Sequence, residues 1–160
     1  MFVNGRILGP LRCRGMTIHR MDHAGVVVED LAAAIAFFVE LGLELEGETA
    51  VEGEWVDQLV GLDGVRADIA VVRTPDGHSR VELSTFHTPV PTSIAPRAPM
   101  NTPGIPRLTF VVDAVGDVLD RLRAHGAELV GEVAQYGDTY RYCYVRGPDG
   151  IIIGLVEELR

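Results

Sequence analysis

From Asp22 onward, apolar and polar positions follow a pattern that occurs twice. DHAGVVVEDLAAAIAFFVELGLELEGE begins at Asp22, and PRLTFVVDAVGDVLDRLRAHGAELVGE begins at Pro106. The two align without a gap at an offset of 84, Asp22 against Pro106. Val27 and Val28 fall on Val111 and Val112, Glu29 on Asp113, and Ile35 on Leu119. Gly42, Leu45 and Gly47 fall on Gly126, Leu129 and Gly131. Further on, Pro75-Asp76-Gly77 recurs as Pro148-Asp149-Gly150. One supersecondary unit is present in two copies.

The elements of that unit follow from period and punctuation. His23 to Val28 is a short apolar run and predicts a strand. Leu31, Ala34, Ile35 and Phe38 recur at helical spacing, as do Val115, Val118, Leu119 and Leu122. Gly42 and Gly126 close the two helices. Strands follow near Leu45–Val51 and Leu129–Gln135. Two further pairs, Ile69–Arg73 with Arg80–Phe86 and Tyr140–Arg146 with Ile151–Val156, each turn at a Pro-Asp-Gly. The insert GEWVDQLVGL reads as a short helix over the first sheet. The expected class is α+β, with two tandem βαβββ modules forming one open, cup-like mixed sheet.

The first module is expected over 19–87 and the second over 106–160. Residues 88–105 between them read as a linker, because six of the nine prolines fall from Pro89 to Pro106 and proline cannot donate to a sheet ladder. Neither module is large enough for a good core of its own, so the two should pack together. Residues 1–18 read as an N-terminal extension. The first fifteen carry Arg6, Arg12 and Arg14, no acid, and no apolar stretch of the signal-peptide kind; Met16 is an alternative start.

Composition narrows the function. The 160 residues are 47% apolar and 23% charged, ordinary values for a globular chain. A net charge of −9 disfavours nucleic acid, whose phosphates need a basic face. All 14 cations are arginine, which excludes a Schiff-base lysine and the lysine of a phosphate-binding loop. Two cysteines, Cys13 and Cys143, are too few for a disulfide scaffold and fit the cytoplasm. No apolar run reaches the roughly 18 residues that span a bilayer.

Strand parity then gathers the candidate chemistry. Val26, Val28, Val81, Leu83, Leu108, Phe110, Ile153 and Leu155 should face the helices. The opposite face holds His23, Gly25 and Val27; Arg80, Glu82, Ser84 and Phe86; Arg107, Thr109 and Val111; and Ile152, Gly154 and Val156. Polar groups are concentrated there, and His23, Glu82 and Arg107 should converge. Tyr140, Tyr142 and Tyr144 alternate on one face, turned to the cup or to a partner chain. Trp55, in the insert, is a pocket lid or simple packing. Glu157 points away from the cup by parity, His78 is solvated in its turn, and His125 interacts with its helix end. Cys143 reads as packing.

MDHAGVVVEDLAAAIAFF, the PDG-x4-EL around Glu82 and the ending YVRGPDGIIIGLVE resemble the vicinal oxygen chelate superfamily. This is the glyoxalase, bleomycin resistance and dioxygenase group, and the pattern is closest to glyoxalase I-like and methylmalonyl-CoA epimerase-like members. The resemblance covers about residues 20–158. It implies four metal-ligand positions, two per module. His23 and Glu82 match. Arg107 stands where a histidine is usual and Gly154 where a glutamate is usual. A guanidinium has no lone pair to give, so His23 and Glu82 read as the vestige of a metal site, with His87 as a further candidate ligand.

The expected function is a small-molecule pocket, metal-free, that binds or transforms an anionic or carbonyl-containing molecule. Glu82 and Arg107 are the candidate catalytic pair, expected within salt-bridge reach of each other, directly or through a water or anion. His23, Ser84, Phe86, Thr109, Tyr142, Gly154 and Trp55 are the candidate ligand-binding residues, with Gly154 leaving room for part of the ligand. The alternative is a metal-dependent lyase or isomerase acting alpha to a carbonyl, with zinc, nickel, cobalt or manganese bound and Glu82 moving the proton. The expected partners are a small molecule and a second copy of the chain, with no nucleic acid and no membrane. Arg107→His with Gly154→Glu would then restore the four-ligand pattern.

Overall fold

The computed structural model describes residues 20–92 and 97–159. The extension expected over 1–18, with Cys13, and four positions of the linker lie outside the described residues. The first half runs β1 (Ala24–Val27), α1 (Leu31–Leu41), β2 (Glu44–Glu52), α2 (Glu54–Val60), β3 (Arg66–Arg73) and β4 (Arg80–Thr88). The second runs β5 (Arg107–Val111), α3 (Val115–Arg123), β6 (Glu128–Leu129), β7 (Ala134–Tyr136), β8 (Tyr140–Arg146) and β9 (Ile152–Glu158), with a 3-10 turn at Pro148–Gly150. The expected class and the repeated unit are both present.

The two sheets have corresponding orders. The first is β1-β4-β3-β2 and the second β5-β9-β8-β6, with β7 also on β8. In each, the strand before the helix lies parallel to the last strand, β1 on β4 and β5 on β9; the other pairings are antiparallel. The strand expected over Leu129–Gln135 is divided into β6 and β7. Ala134 lies five positions after Leu129, but their partners Tyr142 and Val145 on β8 are only three apart. The surplus around Gly131 leaves the ladder, as a bulge requires.

Alternation sorts the residues as expected. Val26, Val28, Ala70, Val72, Val81 and Leu83 turn toward α1 and are buried, and Cys143, Val145, Ile153 and Leu155 do the same on the other side. These residues and the inner faces of α1 and α3 form one continuous core that runs through both halves. Phe37 of α1 lies at the joint: a Cβ added at Gly147 of the second half would stand 3.0 Å from its Cζ. Two polar ties accompany it. Asp149 Oδ2 accepts from Glu29 N–H at 2.9 Å, and Arg121 reaches Glu40 at 3.1 Å.

The helix starts are capped in different ways. Asp30 accepts from Ala33 N–H at 2.9 Å at the start of α1, and Gly42 closes that helix with a φ of +119° that glycine tolerates. At α3, Ala114 has no side-chain acceptor to cap the helix. Glu157 supplies the cap from β9 instead, accepting from Val115 N–H at 2.9 Å while Arg141 donates to it at 3.2 Å. This accounts for a carboxylate that parity turns away from the open face.

β2 is the outer edge of the first sheet and carries Glu44, Glu46, Glu48 and Glu52. α2 is the expected insert helix. Its Val56, with Val65 and Ala67, forms a second small cluster against Val51 and Phe86.

Phe37→Ala should cost about 3–5 kcal/mol, because it empties a fully buried aromatic site. Urea denaturation followed by circular dichroism measures this. A loss below about 1 kcal/mol would mean that the two halves are not packed through Phe37.

Candidate functional site

The faces turned away from α1 and α3 carry the polar side chains. Register fixes which positions of the two halves correspond. Gly25 pairs with Glu82 on β4, and Thr109 pairs with Gly154 on β9. At the offset of 84, Gly25 corresponds to Thr109 and His23 to Arg107, so Glu82 corresponds to Gly154. One set of positions thus carries different chemistry in each half.

In the first half, His23 Nε2 stands 3.6 Å from Glu82 Oε2. The other ring nitrogen, Nδ1, is 3.2 Å from Asp22 Oδ2. The imidazole therefore sits between two carboxylates, hydrogen-bonded to Asp22 and within ion-pair reach of Glu82. The hydrogen bond from His23 and then the charge of Arg20 hold the Asp22 carboxyl below the usual carboxylate range. Glu82 keeps one third of its side-chain surface exposed, so solvent and small molecules reach it. Ser84, next on the same face, is buried at 9% exposure.

In the second half, Arg107 lies over the ring of Tyr144, 5.5 Å from its centroid, a cation–π arrangement. Tyr144 packs edge-on against Tyr142, with centroids 4.8 Å apart. Tyr142 OH stands 3.4 Å from Thr109 Oγ1. Burial pushes the Tyr142 phenol above its ordinary value, which keeps it a proton donor.

Two expectations need correction. Glu82 and Arg107 make no ion pair within 4.0 Å; Glu82 turns to His23 and Arg107 to Tyr144. The reason is that they belong to separate sheets, joined by no strand pairing among the described residues. Nor does Gly154 leave room for a ligand. A Cβ there would stand 2.6 Å from Thr109 Oγ1 and 2.8 Å from Tyr142 OH. The missing side chain is replaced by hydroxyls from β5 and β8, which meet across β9. A glutamate at 154 could not stand there without displacing them, so Arg107→His with Gly154→Glu would not by itself restore four ligands.

The remaining candidates lie elsewhere. Phe86 packs into the small cluster beneath α2. Trp55 is 58% exposed rather than folded over either polar group. His87 has the parity of the helix-facing side and pairs with Asp68 at 2.8 Å, away from Glu82. His125 approaches Glu40 of α1 at 3.9 Å. Burial pushes the Cys143 thiol up to about 11, so it stays unreactive. Parity had marked Tyr144 without a role. Asp22, adjacent to His23, was not singled out and could have been, because a neighbouring carboxylate orients an imidazole.

For a divalent ion, the four corresponding positions offer one imidazole and one carboxylate. Among the described residues no three His, Cys, Asp or Glu side chains gather into a metal-binding group. The residues present in one chain do not fit a four-ligand centre.

Comparison with known proteins places these positions in context. A family model described as Glyoxalase/Bleomycin resistance protein/Dioxygenase superfamily matches residues 20–155. A glyoxalase family protein from Bacillus cereus is 50% identical, over 91% of this chain and 98% of that one, with a TM-score of 0.86. The trypanothione-dependent glyoxalase I of Leishmania major is 18% identical over 88% of each chain, with a TM-score of 0.60. A genomically encoded fosfomycin resistance protein of Listeria monocytogenes is 16% identical, over 88% of this chain and 94% of that one, at 0.56. The last two likenesses show the fold alone. Among curated proteins, none matches.

Gly154→Ala should cost about 1–3 kcal/mol by overpacking, read as a lowered urea midpoint with an unchanged slope. An unchanged midpoint would mean that the hydroxyls do not close over the glycine. Alkaline titration gives a second check. A phenol raised in the folded state contributes stability below the ordinary value of 10.0, and that stability is lost as pH climbs through the raised value. Tyr142→Phe should remove the last tyrosinate step at 295 nm; if that step persists, Tyr142 is not the shielded phenol.

Proposed function

This chain belongs to the Glyoxalase/Bleomycin resistance protein/Dioxygenase superfamily, and we propose that within it the chain binds or transforms an anionic or carbonyl-containing small molecule without recruiting a metal ion. The observation that carries this reading is the donor set. Of the four corresponding positions His23, Glu82, Arg107 and Gly154, only the first two hold a lone-pair donor suited to a metal. The other two belong to a group of positive and hydroxyl donors, which suits the negative oxygens of a ligand better than it suits a cation.

The chemistry on this reading is divided between the halves. Glu82, open to solvent and backed by His23, is placed to take or return a proton next to a carbonyl. Arg107, Thr109 and Tyr142 supply donors to oxygen.

A second copy of the chain completes the arrangement. β1 and β5 each have one unpaired edge among the described residues, and Val27 and Val111 on them are 52% and 70% exposed. Open edges with apolar side chains call for a cover, which a homodimer supplies.

Elemental analysis of protein purified without chelator, together with light scattering, tests both points. The expected result is far less than one divalent ion per chain, and a particle of twice the chain mass. One tightly held zinc, nickel, cobalt or manganese per chain, lost in both His23→Ala and Glu82→Ala, would overturn the metal-independent reading in favour of the lyase or isomerase alternative. A monomer at micromolar concentration would overturn the dimer.

A further inference from the structure

We propose that the face of the second sheet opposite α3 is a carboxylate subsite, formed by Arg107, Thr109 and Tyr142 around Gly154, for a small monocarboxylate. The proposal deepens the reading above and rests on it, since it names the ligand class that this half of the protein takes.

Arg107 is the first support. In a chain of net charge −9, carboxylates are plentiful, and Arg20, Arg73, Arg80, Arg97, Arg121, Arg123 and Arg141 each reach one. Arg107 reaches none within 4.0 Å. It is exposed and lies over the Tyr144 ring at 5.5 Å from the centroid. A cation–π contact satisfies no N–H with an acceptor oxygen, so the guanidinium can still offer its fork to two oxygens.

The second support is the way the neighbouring donors are brought in. Thr109 and Tyr144 pair with Gly154 from opposite sides, and Arg107 lies two residues before Thr109 on β5. A side chain at 154 would stand between Thr109 Oγ1 and Tyr142 OH. Its absence lets Thr109 Oγ1 and Tyr142 OH approach to 3.4 Å over β9. Two hydroxyl donors then stand on the same face as the unpaired guanidinium.

The third support is space beside the cation. A cavity of about 310 Å³ is lined by Met100, Asn101, Thr102, Ile105, Arg107 and Ile152. Its lining is mainly polar, with Asn101 and Thr102 beside Arg107, while Ile152 is nearly fully buried beneath it. A ligand with its charged end on Arg107 has room there for the short remainder of the molecule. The single cation favours a monoanion. A phosphate dianion would bring a second negative charge into an already acidic protein with nothing to offset it.

The test uses the full-length chain and sodium butyrate, with butyramide as its neutral counterpart and inorganic phosphate as the competing oxyanion. Binding is read from the Arg107 Nε–Hε signal in ¹H–¹⁵N spectra, assigned by its loss in Arg107→Gln. Saturable butyrate binding is expected, with butyramide and phosphate at least about tenfold weaker. Arg107→Gln should weaken butyrate by about tenfold or more, and Tyr142→Phe by about threefold to tenfold. Arg107→Lys should recover part of the loss, because it restores charge without the fork. Arg123→Gln, which removes the same charge from the surface of α3, should leave binding unchanged. Arg107 is exposed, so its variants should fold, and an unchanged urea midpoint confirms that.

No saturable butyrate binding, equal binding by Arg107→Gln, or phosphate binding as tight as butyrate would each overturn the proposal. A metal ion found at His23 and Glu82 would overturn the reading above it instead, and it is detected by a separate measurement on separate residues.

Discussion

The architecture depends on a shared apolar core, because neither half can bury enough surface alone. α1 and α3 lay their inner faces against separate sheets and then against each other, so a single core runs through both. Phe37 and Phe38, edge to edge at 5.5 Å, occupy its centre. Burial of this kind uses one face of each sheet completely. Side chains of the opposite parity lie outside this core, and the polar groups collect among them. The site candidates are consequences of the core: they are what alternation leaves on the other side.

Much of this was legible in the sequence. The gapless repeat, with its two Pro-Asp-Gly turns, revealed the unit, and period two separated Val26 and Leu83 from Glu82 and Ser84. What one sequence does not show is how two sheets lie relative to each other. Glu82 and Arg107 share a parity, and opposite charges on one face invite pairing, yet each found a nearer partner in its own sheet. The division into β6 and β7 was hidden for a similar reason: the two surplus residues that interrupt the ladder here need no particular composition. Gly154 misled in another way. An absent side chain reads as empty space along a strand, but across a sheet the neighbours two strands apart can close over it.

The two halves show how one scaffold comes to hold different chemistry. At corresponding positions stand His23 and Arg107, Glu82 and Gly154. The first half keeps an imidazole and a carboxylate 3.6 Å apart. The second half replaces both and recruits Thr109, Tyr142 and Tyr144 from adjacent strands. The backbone at these positions is paired alike, so the difference lies in side chains alone. A fold that hosts unrelated activities does so by this kind of exchange on a fixed frame.

The outer edge of the first sheet has a consequence of its own. β2 carries Glu44, Glu46, Glu48 and Glu52, and a strand with that much like charge repels a copy of itself. Arg73 and Arg80 reach Glu44 and Glu46 from within the sheet. The hydrogen bond from Arg80 holds the Glu46 carboxyl below the usual range. A carboxyl lowered in this way contributes stability above the ordinary carboxylate value and loses it as pH falls through the lowered one. The outer edge of β2 is left with unpaired backbone donors and acceptors, and acid weakens the like-charge repulsion that guards it. The charge on this border is therefore what keeps one edge of the sheet from becoming a pairing template.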